Sequence, residues 1–168
     1  MPEAPLAAAT PVHPGMRIGH VHLKVARLDR ALAFWHGVLG LEVMQRMGDQ
    51  AVFLSAGGYH HHVALNTWES AGGAWPPPGA TGLYHVALVY PDRAALGTAL
   101  KRVLDAGIAL EGASDHGVSE AIYLRDPDGN GVELYRDRPE ADWPRDAGGQ
   151  LAMFSRRLDL NALLAEAG

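Results

Sequence analysis

The sequence predicts an α+β fold: two paired βαβββ modules forming a curved, barrel-like mixed sheet around a central cavity. Three observations predict it. Two apolar strand-like runs, "RIGHVHLKV" (17–25) and "GLYHVALVY" (82–90), each carry a histidine near the start, His20 and His85. Each run is followed by a segment with helical apolar spacing and then by three short strand-like runs separated by turn residues. The two histidines stand 65 residues apart, and that interval is the period of the repeat.

The first module spans residues 17–68. After its opening strand, "LDRALAFWHGVLG" places Asp29 near a helix start, apolar residues at Leu28, Ala31, Leu32, Trp35 and Leu39, and Gly40 as the stop. "LEVMQRM", "AVFLSA" and "HHHVALNTW" are its three further strands. Residues 69–81, within "ESAGGAWPPPGATG", are too rich in Gly and Pro for a central strand and form a linker. The second module spans residues 82–138. Its helix, "PDRAALGTALKRVLDAG", opens with Pro91 and Asp92 and ends at Gly107. "IALEGA", "SEAIYLRD" and "NGVELYRD" are its strands. Residues 139–168 form an extension with a short amphipathic helix in "LDLNALLAEAG", and residues 1–16 a loose tail.

Bulk properties narrow the function. The 168 residues carry a net charge of -5, which argues against nucleic acid or an anionic membrane as partner. There is no cysteine, so disulfides and thiolate metal sites are excluded, in keeping with a cytoplasmic setting. No apolar run approaches the roughly 20 residues of a membrane helix. Nine histidines point toward metal or proton chemistry.

If the repeated units pack around a pseudo-twofold axis, His20 and His85 point into one cavity. Glu133 joins them from the last strand of the second module, flanked by Val132 and Leu134. Two imidazoles and one carboxylate on one side of a metal leave positions open for substrate and dioxygen, as in non-haem Fe(II) oxygenases. A lone strand histidine is more often a hydrogen-bonded core residue, so the metal reading rests on all three together. "DPDGNG" (126–131) matches the opening of an EF-hand loop, but its strand-like flanks make it a hairpin turn. Trp35, Phe34 and Trp68 are expected in the core, while Trp75 and Trp143 are candidates to close a pocket mouth or an oligomer contact.

These motifs resemble the vicinal oxygen chelate superfamily of glyoxalases, bleomycin resistance proteins and extradiol dioxygenases. "GHVHLKV", "GGYHHHVALNTW", "GLYHVALVYP" and "DHGVSEAIYLRDPDGNGVELYRDRP" look more narrowly like its catechol 2,3-dioxygenase branch. The resemblance implies His20, His85 and Glu133 as metal ligands. It implies Fe(II), with Mn(II) as a substitute and zinc or nickel as ions that could occupy the purified protein. It implies His61 as acid–base group, with Ala64 three residues on, and Tyr123 and His116 as further catalytic residues. His22 and His62 are candidate substrate contacts. Strand alternation conflicts with His61 and Ala64 sharing a face, so His60 and His62 remain substitutes for His61 unless the chain bulges near Gly57–Gly58.

The implied activity is metal-dependent extradiol cleavage of a small aromatic diol by dioxygen in a homo-oligomer. Glyoxalase-type relatives place a fourth ligand, a glutamate, where this chain has Ala64. A glyoxalase-type lyase or isomerase is nevertheless one alternative, and a non-catalytic ligand-binding resistance protein is the other.

Overall fold

The computed structural model describes residues 10–168; residues 1–9 of the expected tail lie outside the described residues. The chain opens its regular structure with β1 (Val21–Lys24), then α1 (Leu28–Leu32), which runs on as a π-helical turn over Ala33–Val38. Ala31, Phe34 and Trp35 of this segment lie at i, i+3 and i+4 and all face the core. Strands β2 (Glu42–Met47), β3 (Ala51–Ser55) and β4 (Val63–Asn66) complete the first module. They order as β1-β4-β3-β2, with β1 parallel to β4 and the rest antiparallel.

The second module repeats the plan with β5 (Val86–Val89), α2 (Arg93–Asp105), β6 (Leu110–Asp115), β7 (Ser119–Arg125) and β8 (Gly131–Asp137). Asp92 caps α2 by accepting from the Ala95 amide at 2.8 Å, the role expected of an acidic residue at that position. The sheet order is β5-β8-β7-β6, extended by a short strand β9 (Arg156–Arg157) that the sequence pattern does not reveal. Even the irregularities recur: the register shifts between Val43 and Gln45 in one sheet and between Leu110 and Gly112 in the other.

Among the described residues, the paired modules of the expected α+β fold form two mixed sheets, of four and five strands, with no ladder hydrogen bonds between them. What joins the modules is the "DPDGNG" turn. It is a hairpin turn, as expected, and it is also a bracket. Asp126 (2% exposed) accepts from the Trp35 indole at 3.2 Å, from the Asn130 side chain at 2.9 Å and from the amides of Asp128 and Asn130. Asp128 accepts from the Ala26 amide at 2.8 Å and pairs with Arg30. A continuous core of Leu, Val, Ile and Trp35 runs from α1 and the first sheet to α2 and the second.

The C-terminal extension closes over α2. Helix α3 (Leu160–Leu164), capped by Asp159, buries Leu163 beside Gly97, where an added Cβ would lie 2.5 Å from the Leu163 carbonyl. Beneath it, Glu120 (4% exposed) gathers Arg93, Arg136 and Arg138. Three guanidinium groups compensate one buried carboxylate, and removing that carboxylate would leave them facing one another.

Candidate active site

The site is built from two separate clusters, one on each sheet. On the second sheet, His85 sits immediately before β5, and its Nε2 lies 2.9 Å from a Glu133 carboxylate oxygen on β8. The parallel β5–β8 ladder pairs Ala87 with Glu133, so His85, two residues earlier, shares that face. Gly131 permits this approach: a Cβ there would fall 2.0 Å from the Tyr84 carbonyl and 3.0 Å from the His85 Cβ. Sequence reasoning read Gly131 only as a turn residue.

Tyr123 on β7 stands directly across from Glu133 and donates its hydroxyl to the other carboxylate oxygen at 3.1 Å. His116 Nε2 lies 2.8 Å from the same hydroxyl. Its Nδ1 lies 3.1 Å from the Phe154 carbonyl, which can only accept, so Nδ1 carries a proton. A hydrogen-bonded chain therefore runs from the Phe154 carbonyl through His116, Tyr123 and Glu133 to His85. Phe154 contributes only its main chain, which leaves no signature in the sequence.

Burial, then the Glu133 carboxylate and its hydrogen bond, push the Tyr123 phenol up to about 12. The hydroxyl is thus a proton donor throughout the neutral range. Beside this chain lies a cavity of about 360 Å³ lined by Tyr84, His85, Tyr123 and Gly131.

The first sheet holds the other cluster. His20 sits immediately before β1, the place equivalent to His85, and meets His61 with ring centroids 4.4 Å apart and the rings tilted by 50°. The three consecutive histidines are not strand residues: β4 begins at Val63, and they end a loop that turns at Gly57–Gly58. Strand alternation therefore does not govern them, and the expected conflict between His61 and Ala64 disappears.

His61 packs edge-on against Phe53, and its Nδ1 lies 2.8 Å from that of His60. Its pKa is lowered by partial desolvation first and then by His20 and His60, so the neutral ring offers a nitrogen lone pair at pH 7. His62 braces the loop: its Nδ1 faces the Ser55 hydroxyl at 3.0 Å and the Ala56 amide at 3.3 Å. His22 Nε2 is 2.9 Å from the Asn66 amide group, and its ring meets Trp68 edge-on. Trp68 itself is 54% exposed and is not a core residue, because β4 has ended and the chain is turning away. Trp75 covers Gly129 and donates to the Pro127 carbonyl at 2.9 Å, so it braces the bracket turn.

The expected ligand trio divides between the clusters. His85 and Glu133 meet; His20 stands with His61. Among the described residues no group of three His, Asp or Glu side chains is arranged to hold one ion. The reason is the open arrangement of the sheets: repeat equivalence puts His20 and His85 at equivalent places of two sheets that do not join. One imidazole nitrogen and one carboxylate oxygen suit a divalent transition metal, but two donors from one chain do not complete its shell.

Fold and site together define a duplicated βαβββ protein with a His/Glu/Tyr cluster on one sheet and a polyhistidine cluster on the other. The chain belongs to the Glyoxalase/Bleomycin resistance protein/Dioxygenase superfamily, whose family model matches residues 17–134. It is 43% identical over 159 residues to a catechol-2,3-dioxygenase of Bacillus subtilis (strain 168), covering 95% of this chain and 55% of that protein. It is 34% identical over 123 residues to biphenyl-2,3-diol 1,2-dioxygenase 3 of Rhodococcus globerulus, covering 72% of this chain and 63% of that one. The chain thus spans just over half of the first relative and under two thirds of the second.

Among solved structures, a lactoylglutathione lyase from Agrobacterium tumefaciens aligns with TM-score 0.57 and 28% identity, over 74% of this chain and 96% of that one. A glyoxalase/dioxygenase from Nostoc punctiforme aligns with TM-score 0.63 and 17% identity, over 79% of this chain and all of that one, a likeness of fold.

Proposed function

We propose that this protein is an extradiol dioxygenase that cleaves a small catechol-type substrate with dioxygen, in the cytoplasm, using Fe(II). The observation that carries this reading is the chain His116–Tyr123–Glu133–His85 beside a cavity, in a sequence 43% identical to a catechol-2,3-dioxygenase. Mn(II) suits the same donors.

Among the described residues, His85 and Glu133 are the two members of the expected trio that converge, so the chemistry assignable to these residues is orientation and proton handling. Tyr123 presents a protonated hydroxyl at the cavity wall, able to hydrogen-bond an oxygen that gains negative charge. The Phe154 carbonyl holds the His116 ring in position through Nδ1, and His116 in turn positions the Tyr123 hydroxyl through Nε2. His61, neutral at pH 7, is the base able to take a catechol hydroxyl proton. The cavity of about 360 Å³ matches a single substituted ring better than a large polycyclic substrate.

The Ala64 position favours this reading over a lyase or isomerase. The β1–β4 ladder pairs His22 with Ala64 just as the β5–β8 ladder pairs Ala87 with Glu133, so Ala64 occupies the repeat-equivalent place of the glutamate and supplies no fourth ligand. The test is reconstitution with Fe(II) under nitrogen, then oxygen uptake with a small panel of catechols. Uptake together with a yellow ring-opened product is expected. Turnover of a glyoxalase-type substrate without oxygen, and no uptake with any catechol, would overturn it.

A further inference from the structure

The cavity beside His85 and Tyr123 is also walled by an ion pair, Arg125 with Glu111, that the chemistry described so far does not use. We propose that this pair is a gate between that cavity and a second one, and that it fixes how large a substituent the substrate ring can carry. The proposal rests on the dioxygenase reading for the identity of the ring and adds which substituted rings are accepted.

Four observations lead to it. First, Arg125 and Glu111 line two cavities at once. One is the cavity of about 360 Å³ with His85 and Tyr123 on its wall; the other, of about 580 Å³, lies between the modules against Phe34, Val38, Trp75, Ile108 and Pro127. Second, the sheet register aims the pair at the site. Arg125 stands two residues beyond Tyr123 on β7 and shares its face, and its cross-strand neighbour on β8 is Gly131, which has no side chain to cover it. Glu111 is the extra residue of the β6 bulge, and its carboxylate meets Arg125 Nε at 2.6 Å. Third, the pair is free to part. Arg125 is tethered to the turn, since its Nη1 donates to the Gly129 carbonyl at 2.8 Å, but the two side chains are 39% and 49% exposed, and an ion pair so open to water is weakly held. Fourth, the duplicated frame does not require it. Met44 is the extra residue of the equivalent bulge in the first sheet and Ser55 the equivalent of Arg125, so the first module has no such pair.

The second cavity is walled chiefly by aromatic and aliphatic side chains, so what it can receive is an apolar arm on the ring. With the pair closed, the ring has the smaller cavity to itself and an aryl arm is turned away. With the pair parted, the two cavities become one space able to take two linked rings. A catechol with a small substituent is therefore the substrate class of the closed gate, and a phenylcatechol that of an opened one.

The experiment titrates metal-free protein calorimetrically with catechol, 3-phenylcatechol and 4-phenylcatechol, then compares the same three in oxygen uptake after Fe(II) loading. Glu111→Ala and Arg125→Ala are combined to remove the gate. The affinity of this variant for at least one phenylcatechol, relative to its affinity for catechol, should exceed that of wild type by about tenfold or more, and the ratio of kcat/KM values should rise with it. Arg125→Lys keeps a cation beside Glu111 and should hold the wild-type ratio. Glu111→Ala alone, which leaves the Gly129 tether in place, serves if the double variant misfolds and should shift the ratio in the same direction. Ratios that stay at the wild-type value in the opened variants, or an equal loss for all three ligands, which marks a merely structural pair, would overturn the gate. A shifted binding ratio without oxygen uptake from any catechol, in wild type or variant, would keep the gate and overturn the dioxygenase reading instead.

Discussion

The two sheets are the same frame carrying different chemistry. Reading across from the opening strand, the second sheet aligns Ala87, Glu133, Tyr123 and Gly112 in one row. The first sheet aligns His22, Ala64, Phe53 and Gln45 in the equivalent row. Strand order, register and bulge are retained, while the carboxylate becomes a methyl and the phenol loses its hydroxyl. The consequence is visible at the two opening histidines. His85 has an anionic partner at 2.9 Å, whereas His20 meets another imidazole, that of His61. A duplicated backbone therefore fixes where a side chain can act, and a few substitutions decide whether that place binds, relays protons or packs.

The sharpest break in this comparison is at the histidine loop. His61→Ala should lower turnover of a catechol by about 100- to 10,000-fold, the ordinary worth of a positioned base, in steady-state oxygen uptake. His62→Ala should leave turnover within about tenfold and lower thermal stability instead, because His62 braces Ser55 and Ala56.

Making the first sheet resemble the second should be costly. Ala64 is fully buried, so Ala64→Glu places a carboxylate without a phenol or cation beside it. We expect a loss of about 3 kcal/mol in denaturant unfolding, and a loss under about 1 kcal/mol would show that the first sheet tolerates what the second requires.

Tyr123→Phe makes the opposite exchange. It should reduce turnover by about tenfold or more while costing only about 1 kcal/mol of stability. In metal-free protein it should also remove a phenol that titrates near 12 rather than 10. The sign of the linkage is definite. The folded state holds this proton more tightly, so the contribution to stability is complete below pH 10 and fades as pH rises toward 12. The smallest effect is expected for Phe53→Tyr, which adds a hydroxyl opposite Ala64 with no carboxylate to accept it; a change in turnover beyond about twofold would contradict the asymmetry between the rows.

Much of this was legible in the residues because local rules govern it. Alternation and helical spacing mark the strands and α2, Asp92 marks a cap, and a 65-residue interval marks the duplication. His116 and Tyr123 were singled out through the family resemblance and not by local rules; the sheet register of their module sets Tyr123 across from Glu133. The histidine loop misled alternation because β4 starts only at Val63, and Trp68 was misplaced because the strand ends at Asn66. Neither boundary has a strong local signal.

The sequence alone determined the duplicated α+β plan and the residue types available to each half of the site, because periodicity and turn chemistry act over a few residues. Only the tertiary structure decided that "DPDGNG" locks the modules together through Trp35 and Ala26, that the Phe154 carbonyl orients His116, and that His20 stands apart from His85 and Glu133 within one chain. Those outcomes depend on main-chain atoms and on how two sheets pack at long range, and neither is encoded in the identity of any single residue.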